Sequence, residues 1–436
     1  MKRIFFLALL FTAQSIYAQQ LVTLQEVIQD ALLKNYDILL VRNDSVAAAI
    51  DYEYKLAFFL PRLNGSASKV WNNNDQKQNF SDGTKRERNG IKSSNLQTAV
   101  NLNWVLFDGL RMFATRDKYE EFTKLGALNV RTQVVNTLAD IINNYYNIVQ
   151  QKQQLKAIEE QMSISEERVK LADKKLSVGL GSKPELLQAK VDFNAFRAAQ
   201  MRQLTLISQL KEQLNQLTGR PLSDSYEVSD SIPINLDLSY ADVVKNLENT
   251  NPQLQVARKN IDISKITLRE NRADLWPTIQ FNSAYNFSRL DNKEVVNPFT
   301  PLFSQNKGFN YGFSANVPIF NGSNTRRLIR QAQLDVQYNE LSLANIQSQV
   351  NLGLSNQFKN YDYQKKALSL EEENIELAKE NVNIALARFR QGVSTFLELR
   401  EAQISLADAY NRLIAARYNT KLAEVELLRL KGELIR

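Results

Sequence analysis

Four segments of the chain alternate apolar and polar residues with a period of two. Between residues 96 and 104, one face carries leucine, threonine, valine and tryptophan, and the other carries glutamine, alanine and asparagine. Residues 279–288 and 309–317 repeat the pattern with aromatic side chains, whereas residues 63–71 follow it more weakly. This period is typical of a β-strand with two different faces. The sequence therefore predicts four strands, at about 62–72, 94–107, 278–290 and 307–320.

Most of the remaining chain has helical spacing. Near the C-terminus, apolar or small residues recur at alternating intervals of three and four, as in a coiled coil. These residues are Leu399, Ala402, Leu406, Ala409, Leu413, Ala416, Thr420, Ala423 and Leu427. The pattern predicts two very long helices, 110–178 and 323–391, each followed by a return helix, 185–218 and 396–434. A helix of about 69 residues would be roughly 100 Å long, far beyond the globular norm.

The two halves of the chain have the same order of elements, which indicates a tandem duplication. In each half a helix, at about 23–60 or 240–275, ends at a proline, because proline cannot continue a helix interior. The strand pair, the long helix and the return helix follow. Alignment pairs Asn35 with Asn251, Pro61 with Pro277, Gly109 with Gly322, and Gly179 with Gly392. The sequence predicts one repeat over 19–220, a linker over 221–238 and a second repeat over 239–436.

Each half also repeats a junction from strand to helix. The second-half segment VPIFNG, residues 317–322, matches WVLFDG, residues 104–109. Proline removes a donor from the strand ladder, and glycine allows the chain to turn into the helix. The residues predicted to form this junction are Phe107, Gly109, Pro318, Phe320 and Gly322.

The first eighteen residues have the composition of a secretory signal peptide. Lys2 and Arg3 precede the apolar run from Ile4 to Phe11, and small residues lead to Ala18. This order predicts cleavage after Ala18 and export of the mature chain. After that point no run of 18 apolar residues occurs, so no transmembrane helix is expected.

Cysteine and histidine are both absent from the sequence. Nucleophilic catalysis by Ser/His/Asp or Cys/His groups is therefore excluded, and so are the usual zinc sites. A hydrolase that uses only carboxylates is disfavoured, because the acidic residues lie on the predicted long helices and turns rather than around a cleft. We expect no enzyme, cofactor or metal. The net charge of +7 is spread along the chain, which argues against nucleic acid as a partner.

The strands favour a membrane β-barrel over a soluble sheet, although the alternation alone fits both. Lengths near ten residues, the signal peptide and a polar face of uncharged amides all point to the membrane. Four strands cannot close a barrel, for which eight are the practical minimum. Since open edges in lipid are costly, the chain is expected to pool its strands with copies of itself. A trimer would supply twelve strands.

The order of these features resembles that of the TolC-type outer-membrane factor family over essentially the whole mature chain. The most specific segments are VPIFNG, WVLFDG and QGVSTFLELREAQ, residues 391–403. The resemblance implies a mostly α-helical homotrimer with a twelve-stranded β-barrel in the Gram-negative outer membrane, continuing into a periplasmic α-barrel. It implies a passive exit duct of a tripartite efflux pump. Its partners would be a periplasmic adaptor, an inner-membrane transporter and outer-membrane lipid.

The resemblance also implies a gate at the periplasmic end, lined by Glu398, Glu401 and Glu185. Glu398 and Glu401 are three residues apart and share a helix face, so a trimer would form two rings of carboxylates. The alternative is that they are ordinary first-turn glutamates favoured by the helix dipole. Some family members carry a tyrosine and an arginine that lock neighbouring hairpins, where this chain has Phe389 and Ser394. Phe389 therefore suggests closure by apolar contact.

The two predicted hairpin turns are the expected docking tips for the adaptor. Their glycines permit tight turns, and the first is not a phosphate loop because it follows a helix rather than a strand. The docking residues are Gly179, Leu180, Gly181 and Ser182 in the first turn, and Gly392, Val393, Ser394 and Thr395 in the second. A basic stretch, 72–92, is expected to be an exposed outer loop, with lipopolysaccharide binding as the less favoured alternative.

Two other functions fit parts of this pattern. The same duct could serve a type I secretion system and pass proteins, since cargo is chosen by the inner-membrane partners. A non-conducting structural or adhesive protein could use the same long helices without a lumen.

Overall fold

The computed structural model describes residues 21–221 and 226–434. The predicted signal peptide, 1–18, lies outside the described residues. The described chain is mostly helical and divides into two compact units. The sheet unit comprises Ser45–Gly126 and Ala257–Leu343, and the helical unit comprises the other described residues. None of the described helices is long and apolar enough to cross a membrane.

The helices are α1 (Leu24–Lys34), α2 (Tyr36–Glu53), α3 (Arg111–Ser177), α4 (Lys183–Thr218), α5 (Tyr240–Val244), α6 (Leu247–Thr250), α7 (Pro252–Ala273), α8 (Asn324–Arg390) and α9 (Phe396–Lys431). The strands are β1 (Leu21–Val22), β2 (Arg62–Asn79), β3 (Lys85–Asp108), β4 (Glu227–Val228), β5 (Thr278–Asn292) and β6 (Phe303–Asn316). The long helices α3 and α8 have 67 residues each, and their return helices α4 and α9 have 36 each.

The prediction of unbroken helices over 23–60 and 240–275 is wrong: a buried asparagine interrupts each of them, and the second is also broken at 245–246, where Asn246 has a φ of 62°. Asn35 lies between α1 and α2, donates to the carbonyl of Leu217 at 2.7 Å, and accepts from the Ile38 amide at 3.0 Å. Asn251 does the same before α7, with Leu430 and Leu254 at the same two distances. Each side chain caps a helix start and satisfies the end of a return helix, where carbonyls lack partners.

The sheet unit contains a four-stranded antiparallel sheet in the order β2–β3–β5–β6. Its register places apolar residues beside one another in rows on one face and small or polar residues in rows on the other. Trp104, Phe281 and Phe313 form one row of the apolar face, and Asn101 pairs with Ala284 on the polar face. Strands β2 and β6 are the sheet edges, and neither pairs on its outer side within the described chain.

Strands β2 and β3 extend well beyond their predicted ends at 72 and 94. The basic stretch expected to be a loop is a β-hairpin, and Lys77 Nζ lies 2.6 Å from a Glu87 carboxylate oxygen across it. Arg88 Nε lies 3.2 Å from a carboxylate oxygen of Glu294, and Arg86 donates to the Val296 carbonyl at 3.5 Å. These side chains have partners in the chain, which weakens the case for lipid binding by this stretch.

Both strand-to-helix junctions contain two successive residues with positive φ. Gly109 and Leu110 each have φ of 71°, and Gly322 and Ser323 have 65° and 62°. A Cβ at Gly109 would lie 2.3 Å from the Ala273 carbonyl oxygen, so only glycine fits there. Of the other predicted junction residues, Phe107 is half-buried, whereas Pro318 and Phe320 are exposed.

In the helical unit, the described part of the linker is packed against helices. Residues from Tyr226 onward cross α4, α3, α9 and α8 in turn. Strand β4 pairs in parallel with β1, and the Tyr145 hydroxyl of α3 donates to the Val22 carbonyl and accepts from the Ser229 amide. Lys152 of α3 also holds the linker. Its Nζ lies 2.8 Å from a carboxylate oxygen of Glu227, 2.7 Å from one of Asp230 and 2.9 Å from the Val228 carbonyl oxygen.

Replacing Lys152 with methionine is expected to release this strand. Burial alone would raise the pKa of Glu227, but the ammonium groups of Lys152 and Lys211 outweigh this effect and lower the pKa of the Glu227 carboxyl. Lys152 also lowers the pKa of Asp230. Depressed carboxyl pKa values stabilise the fold above the ordinary values of 4.5 and 3.8, and this contribution is lost as pH falls below them. Hydrogen exchange of the Glu227 and Val228 amides measures the release.

The Lys156→Met variant, one helical turn further along α3, is the control, since Lys156 acts on Asp230 only at longer range. Unchanged exchange in Lys152→Met, or equal acceleration in both variants, would contradict the assignment.

Candidate functional site

The end of the helical unit at which both long hairpins turn brings the predicted site residues together. Gly179 and Gly392 follow α3 and α8 with φ of 77° and 72°. The next residue in each turn donates its amide back to a helix carbonyl, Leu180 to Lys175 at 2.8 Å and Val393 to Arg388 at 2.9 Å. This is the Schellman motif, which needs a left-handed residue and therefore favours glycine. The two turns are thus built alike.

A small apolar cluster holds the two hairpins against each other behind the turns. Its buried members are Ala172, Leu186, Ala189, Phe389, Phe396 and Leu399. Lys175 of α3 lies with its Nζ 3.7 Å from the centre of the Phe389 ring and donates to the Phe389 carbonyl at 3.3 Å. Phe389 is only 3% exposed. Its apolar contacts therefore join hairpins of one chain, and it presents no free surface to an aperture here.

A buried arginine lies one turn deeper, and it connects three helices. Arg168 of α3 is 1% exposed and forms an ion pair with Asp192 of α4. Its other terminal nitrogen donates to Gln403 Oε1 of α9 at 3.1 Å, and its guanidinium carbon lies 4.9 Å from the Phe396 ring centre. Arg400 of α9 also donates to Asp192, at 3.2 Å. The Asp192 carboxylate thus receives one cation from each hairpin.

Burial dominates the electrostatics of this cluster. Loss of solvent lowers the pKa of Arg168, and the Asp192 carboxylate acts against that shift. Arg168 Nε and Ser165 Oγ are buried and have no hydrogen-bond partner among the described residues. A buried charge with incomplete hydrogen bonding is costly and depends strongly on its counterion. The packing of the two hairpins at this point therefore depends on the Asp192 side chain.

The three predicted aperture glutamates are exposed at the starts of the return helices. Glu185 lies in the first turn of α4, where the Ser182 amide approaches its carboxylate at 3.5 Å. Glu398 lies in the first turn of α9, where Thr395 Oγ1 accepts from the Glu398 amide at 3.2 Å. Neither Glu398 nor Glu401 forms an ion pair with a described residue. Both carboxylates are therefore available, and their role in an aperture stays a prediction.

The predicted docking turns expose apolar side chains as well as glycines. Leu180 is 82% exposed and Val393 is 65% exposed, and Val178 and Leu397 beside them are similarly open. Ser182 and Thr395 occupy the cap positions of α4 and α9, so their local role is to start those helices. Exposed apolar residues at a helical tip are typical of an interaction surface.

The Arg168 cluster was missed by the sequence reasoning, although a signal for it exists. Gln161, Ser165, Arg168 and Ala172 follow the 4, 3, 4 spacing of the buried face of α3. Three successive polar residues on a coiled-coil seam indicate a polar layer in the core. The partners could not be found this way, because Asp192 and Gln403 lie far away in the chain.

The sequence profile of the family described as "Outer membrane efflux protein" matches residues 27–220 and again 243–433. The chain belongs to the outer membrane efflux protein family. The family match covers both long hairpins and both strand pairs, and the predicted resemblance is confirmed.

Among curated relatives, the outer membrane protein TolC of Vibrio cholerae is 22% identical over 266 residues, which is 60% of this chain and 59% of the relative. The proteases secretion protein PrtF of Dickeya chrysanthemi is 23% identical over 201 residues, 42% of this chain and 39% of the relative. The matches thus span about half the length of these curated relatives.

Solved structures extend the similarity over nearly the whole chain. The CmeC outer membrane channel of Campylobacter jejuni has a TM-score of 0.78 and 17% identity, covering 94% of this chain and 85% of that one. The outer membrane protein VceC of Vibrio cholerae has a TM-score of 0.74 and 15% identity, covering 94% and 96%. At these identities the similarity establishes a shared fold with outer-membrane channels.

Proposed function

We propose that this chain is the protomer of a homotrimeric outer-membrane duct, built from two tandem repeats, that exports small molecules as part of a tripartite efflux pump. Its sheet would close into a twelve-stranded barrel with two others, and its hairpin turns would form a gate in the periplasm. The open edges of the sheet carry this proposal, because a sheet with one aromatic face cannot remain unpaired at β2 and β6 in lipid.

A stripe of exposed apolar residues on α8 supports assembly. Tyr363, Leu370, Leu377 and Ile384 recur every seven residues and are 64%, 62%, 60% and 52% exposed. They lie opposite the face of α8 that packs on α9, where Leu368, Ile375 and Val382 are buried. One exposed apolar residue in every seven, on a face that packs against no other element of the described chain, forms a stripe suited to contact with a partner helix. The partner best matched to it is a neighbouring copy of this chain.

The gate would be closed by the contacts between the two hairpins. Phe389 and its apolar cluster, together with the Arg168–Asp192–Arg400 network, hold the α8–α9 turn against the α3–α4 hairpin. The chain thus combines apolar and polar contacts, and the tyrosine–arginine lock of other members is replaced. The exposed turns would dock a periplasmic adaptor, which in turn would bind an inner-membrane transporter.

Planar-bilayer recording of the purified protein tests the duct and its aperture together. The wild-type protein is expected to conduct cations in preference to anions, because rings of Glu398 and Glu401 would attract them at the constriction. The Glu398→Gln/Glu401→Gln variant is expected to lose most of that preference, measured as the reversal potential in a salt gradient.

The control removes the same number of charges from exposed positions of α2, in Asp51→Asn/Glu53→Gln, and should leave the reversal potential unchanged. Equal shifts in both variants would place Glu398 and Glu401 outside the aperture. Absence of any current, even in the Glu398→Gln/Glu401→Gln variant, would favour the structural or adhesive alternative over a duct.

Export of proteins is the second candidate function. It is favoured by the relatives PrtF and the alkaline protease secretion protein AprF of Pseudomonas aeruginosa, which are 23% identical to this chain in their matched regions. Co-purification separates the two: a secretion ATPase bound through the adaptor would support protein export, and a multidrug transporter would support efflux.

A further inference from the structure

The apolar face of the sheet carries three cations in two adjacent rows. In the register, Leu96 of β3 pairs with Lys69 of β2 on one side and with Arg289 of β5 on the other. Lys307 of β6 pairs with Phe287, one row nearer to the helices. All three side chains are exposed and share the face of the Trp104–Phe281–Phe313 row. Cations on such a face require an explanation, since the rows below them are aromatic and aliphatic.

The spacing of the strands brings these cations within reach of a single ligand. Lys69 and Arg289 lie on either side of β3, so their backbones are about 10 Å apart. Lys307 is the diagonal neighbour of Arg289, and such neighbours lie about 7–8 Å apart. Lys69 and Lys307 lie three strands apart, about 14 Å, so the cluster suits a ligand that carries more than one anionic group.

Aromatic rings support each of the three cations. Lys69 Nζ lies 5.1 Å from the centre of the Trp71 ring, and Lys307 Nζ lies 5.8 Å from that of Phe287. The Arg289 guanidinium carbon lies 5.3 Å from the Phe303 ring centre. Cation–π contacts of this kind hold the charges against the sheet surface. The cluster is therefore positioned rather than left to extend into solvent.

The charge of the cluster is only partly neutralised. Arg289 donates to Asp291 through Nε at 2.8 Å and Nη2 at 3.2 Å, which leaves Nη1 free of a described partner. No acidic residue occurs in the two rows that hold the cations. About two positive charges thus remain uncompensated on a face that would contact lipid. Such charges cost about 2–4 kcal/mol each at the bilayer midplane and about 0–1 near its surface.

The depth of the cluster suits the surface of a bilayer. From Trp104 to Leu96 the strand β3 advances eight residues, roughly 27 Å along the strand. Because strands in outer-membrane barrels are tilted by about 35–45°, this is roughly 20 Å of the ~25 Å height of the apolar band, so the cations lie close to its edge. Trp104 lies at the end of the sheet joined to helices, so the cations lie at the far end, toward the hairpin turns. That end would lie in the outer leaflet if the proposed orientation holds.

From this geometry we infer that Lys69, Arg289 and Lys307 form a binding site for the phosphates of an anionic glycolipid in the outer leaflet. Lysine and arginine form charge-assisted hydrogen bonds with phosphate oxygens, and the planar arginine adds geometric specificity. The lipid would supply the missing negative charge at the depth where the cluster lies. This inference rests on the proposed membrane location of the sheet.

Native mass spectrometry of the purified assembly, titrated with diphosphorylated lipid A, tests the site. The Lys69→Gln/Arg289→Gln/Lys307→Gln variant is expected to bind about tenfold more weakly or worse, equivalent to about 1.4 kcal/mol. The matched control Lys77→Gln/Lys85→Gln/Lys92→Gln removes three cations from the β2–β3 hairpin and should bind like the wild type. Enzymatically dephosphorylated lipid A should bind weakly to all three proteins.

Three outcomes would overturn the site: equal binding by the wild type and the Lys69/Arg289/Lys307 variant, an equal loss in the control variant, or displacement of the lipid by inorganic phosphate at matched concentration. The last would indicate a free-anion site. Conductance of the same samples separates this inference from the proposed function. If the Lys69/Arg289/Lys307 variant conducts normally and still binds the lipid, only the lipid site is contradicted. If the wild-type protein neither inserts into a bilayer nor conducts, the proposed duct function is contradicted.

Discussion

Replacing Asp192 with alanine is expected to loosen the contact between the two helical hairpins and to raise channel conductance. The substitution leaves Arg168 buried, at 1% exposure, without its carboxylate partner. Removing one member of a buried ion pair costs about 3–5 kcal/mol, because the remaining charge stays desolvated and uncompensated. Arg400 loses the same partner, so the α9 side of the cluster is weakened too.

Two measurements follow the effect. Hydrogen exchange reports the free energy of opening at the turns 178–182 and 391–395, and planar-bilayer recording reports conductance. Both should change together in Asp192→Ala. In the double variant Arg168→Met/Asp192→Leu they should return to wild-type values, because replacing a buried pair with apolar side chains of similar size is often neutral or stabilising.

The matched control is the ion pair between Arg412 of α9 and Glu371 of α8, which lie 3.1 Å apart. The Arg412 side chain is 52% exposed, so Glu371→Ala should cost no more than about 1 kcal/mol and leave conductance unchanged. If Asp192→Ala behaved like Glu371→Ala, the Arg168 cluster would not hold the gate. If it unfolded the hairpins without raising conductance, the cluster would support the fold only.

Replacing Leu370 and Leu377 with glutamate is expected to abolish the proposed trimer. Burying each leucine contributes about 1.5–3 kcal/mol, and a trimer would contain three copies of both. Glutamate at a buried coiled-coil position loses this contribution and adds the cost of desolvating a charge. Light scattering and native mass spectrometry of the purified protein measure the mass of the assembly.

The conservative variant Leu370→Ile/Leu377→Ile is the control and should remain trimeric, because it keeps the apolar stripe. Circular dichroism should show unchanged helix content in the glutamate variant, since both leucines are more than half exposed within the chain. A glutamate variant that stays trimeric would show that the α8 stripe does not form the subunit contact. Another surface would then have to cover it.

The periodic elements could be predicted from sequence because their signal is local. A strand repeats every two residues and a helix every 3.6, so alternation or coiled-coil spacing predicts an element wherever it persists. The long helices were therefore expected at nearly their observed ends. The turn glycines were expected for the same reason, because a left-handed residue after a helix excludes most side chains.

The interruption at Asn35 could not be predicted in the same way, because Asn35 lies within a continuous helical pattern and asparagine in a helix is only mildly unfavourable. The break at Asn251 has a local signal, since Pro252 follows it and proline cannot continue a helix interior. Each break is stable because the asparagine amide group reaches a carbonyl of a distant return helix, Leu217 or Leu430. The packing of the linker is a similar case, because Lys152 and Tyr145, which hold it, lie far away in the chain.

The sequence by itself determined the class of the fold, the two-faced strands and the positions of both turns, since these depend on neighbours close in the chain. The tertiary structure alone decided which distant residues meet. It placed Phe389 between hairpins, gave Arg168 its carboxylate, and aligned Lys69 with Arg289 across β3. These contacts depend on register and packing between elements, and the energies that select them come from burial and charge pairing rather than from local periodicity.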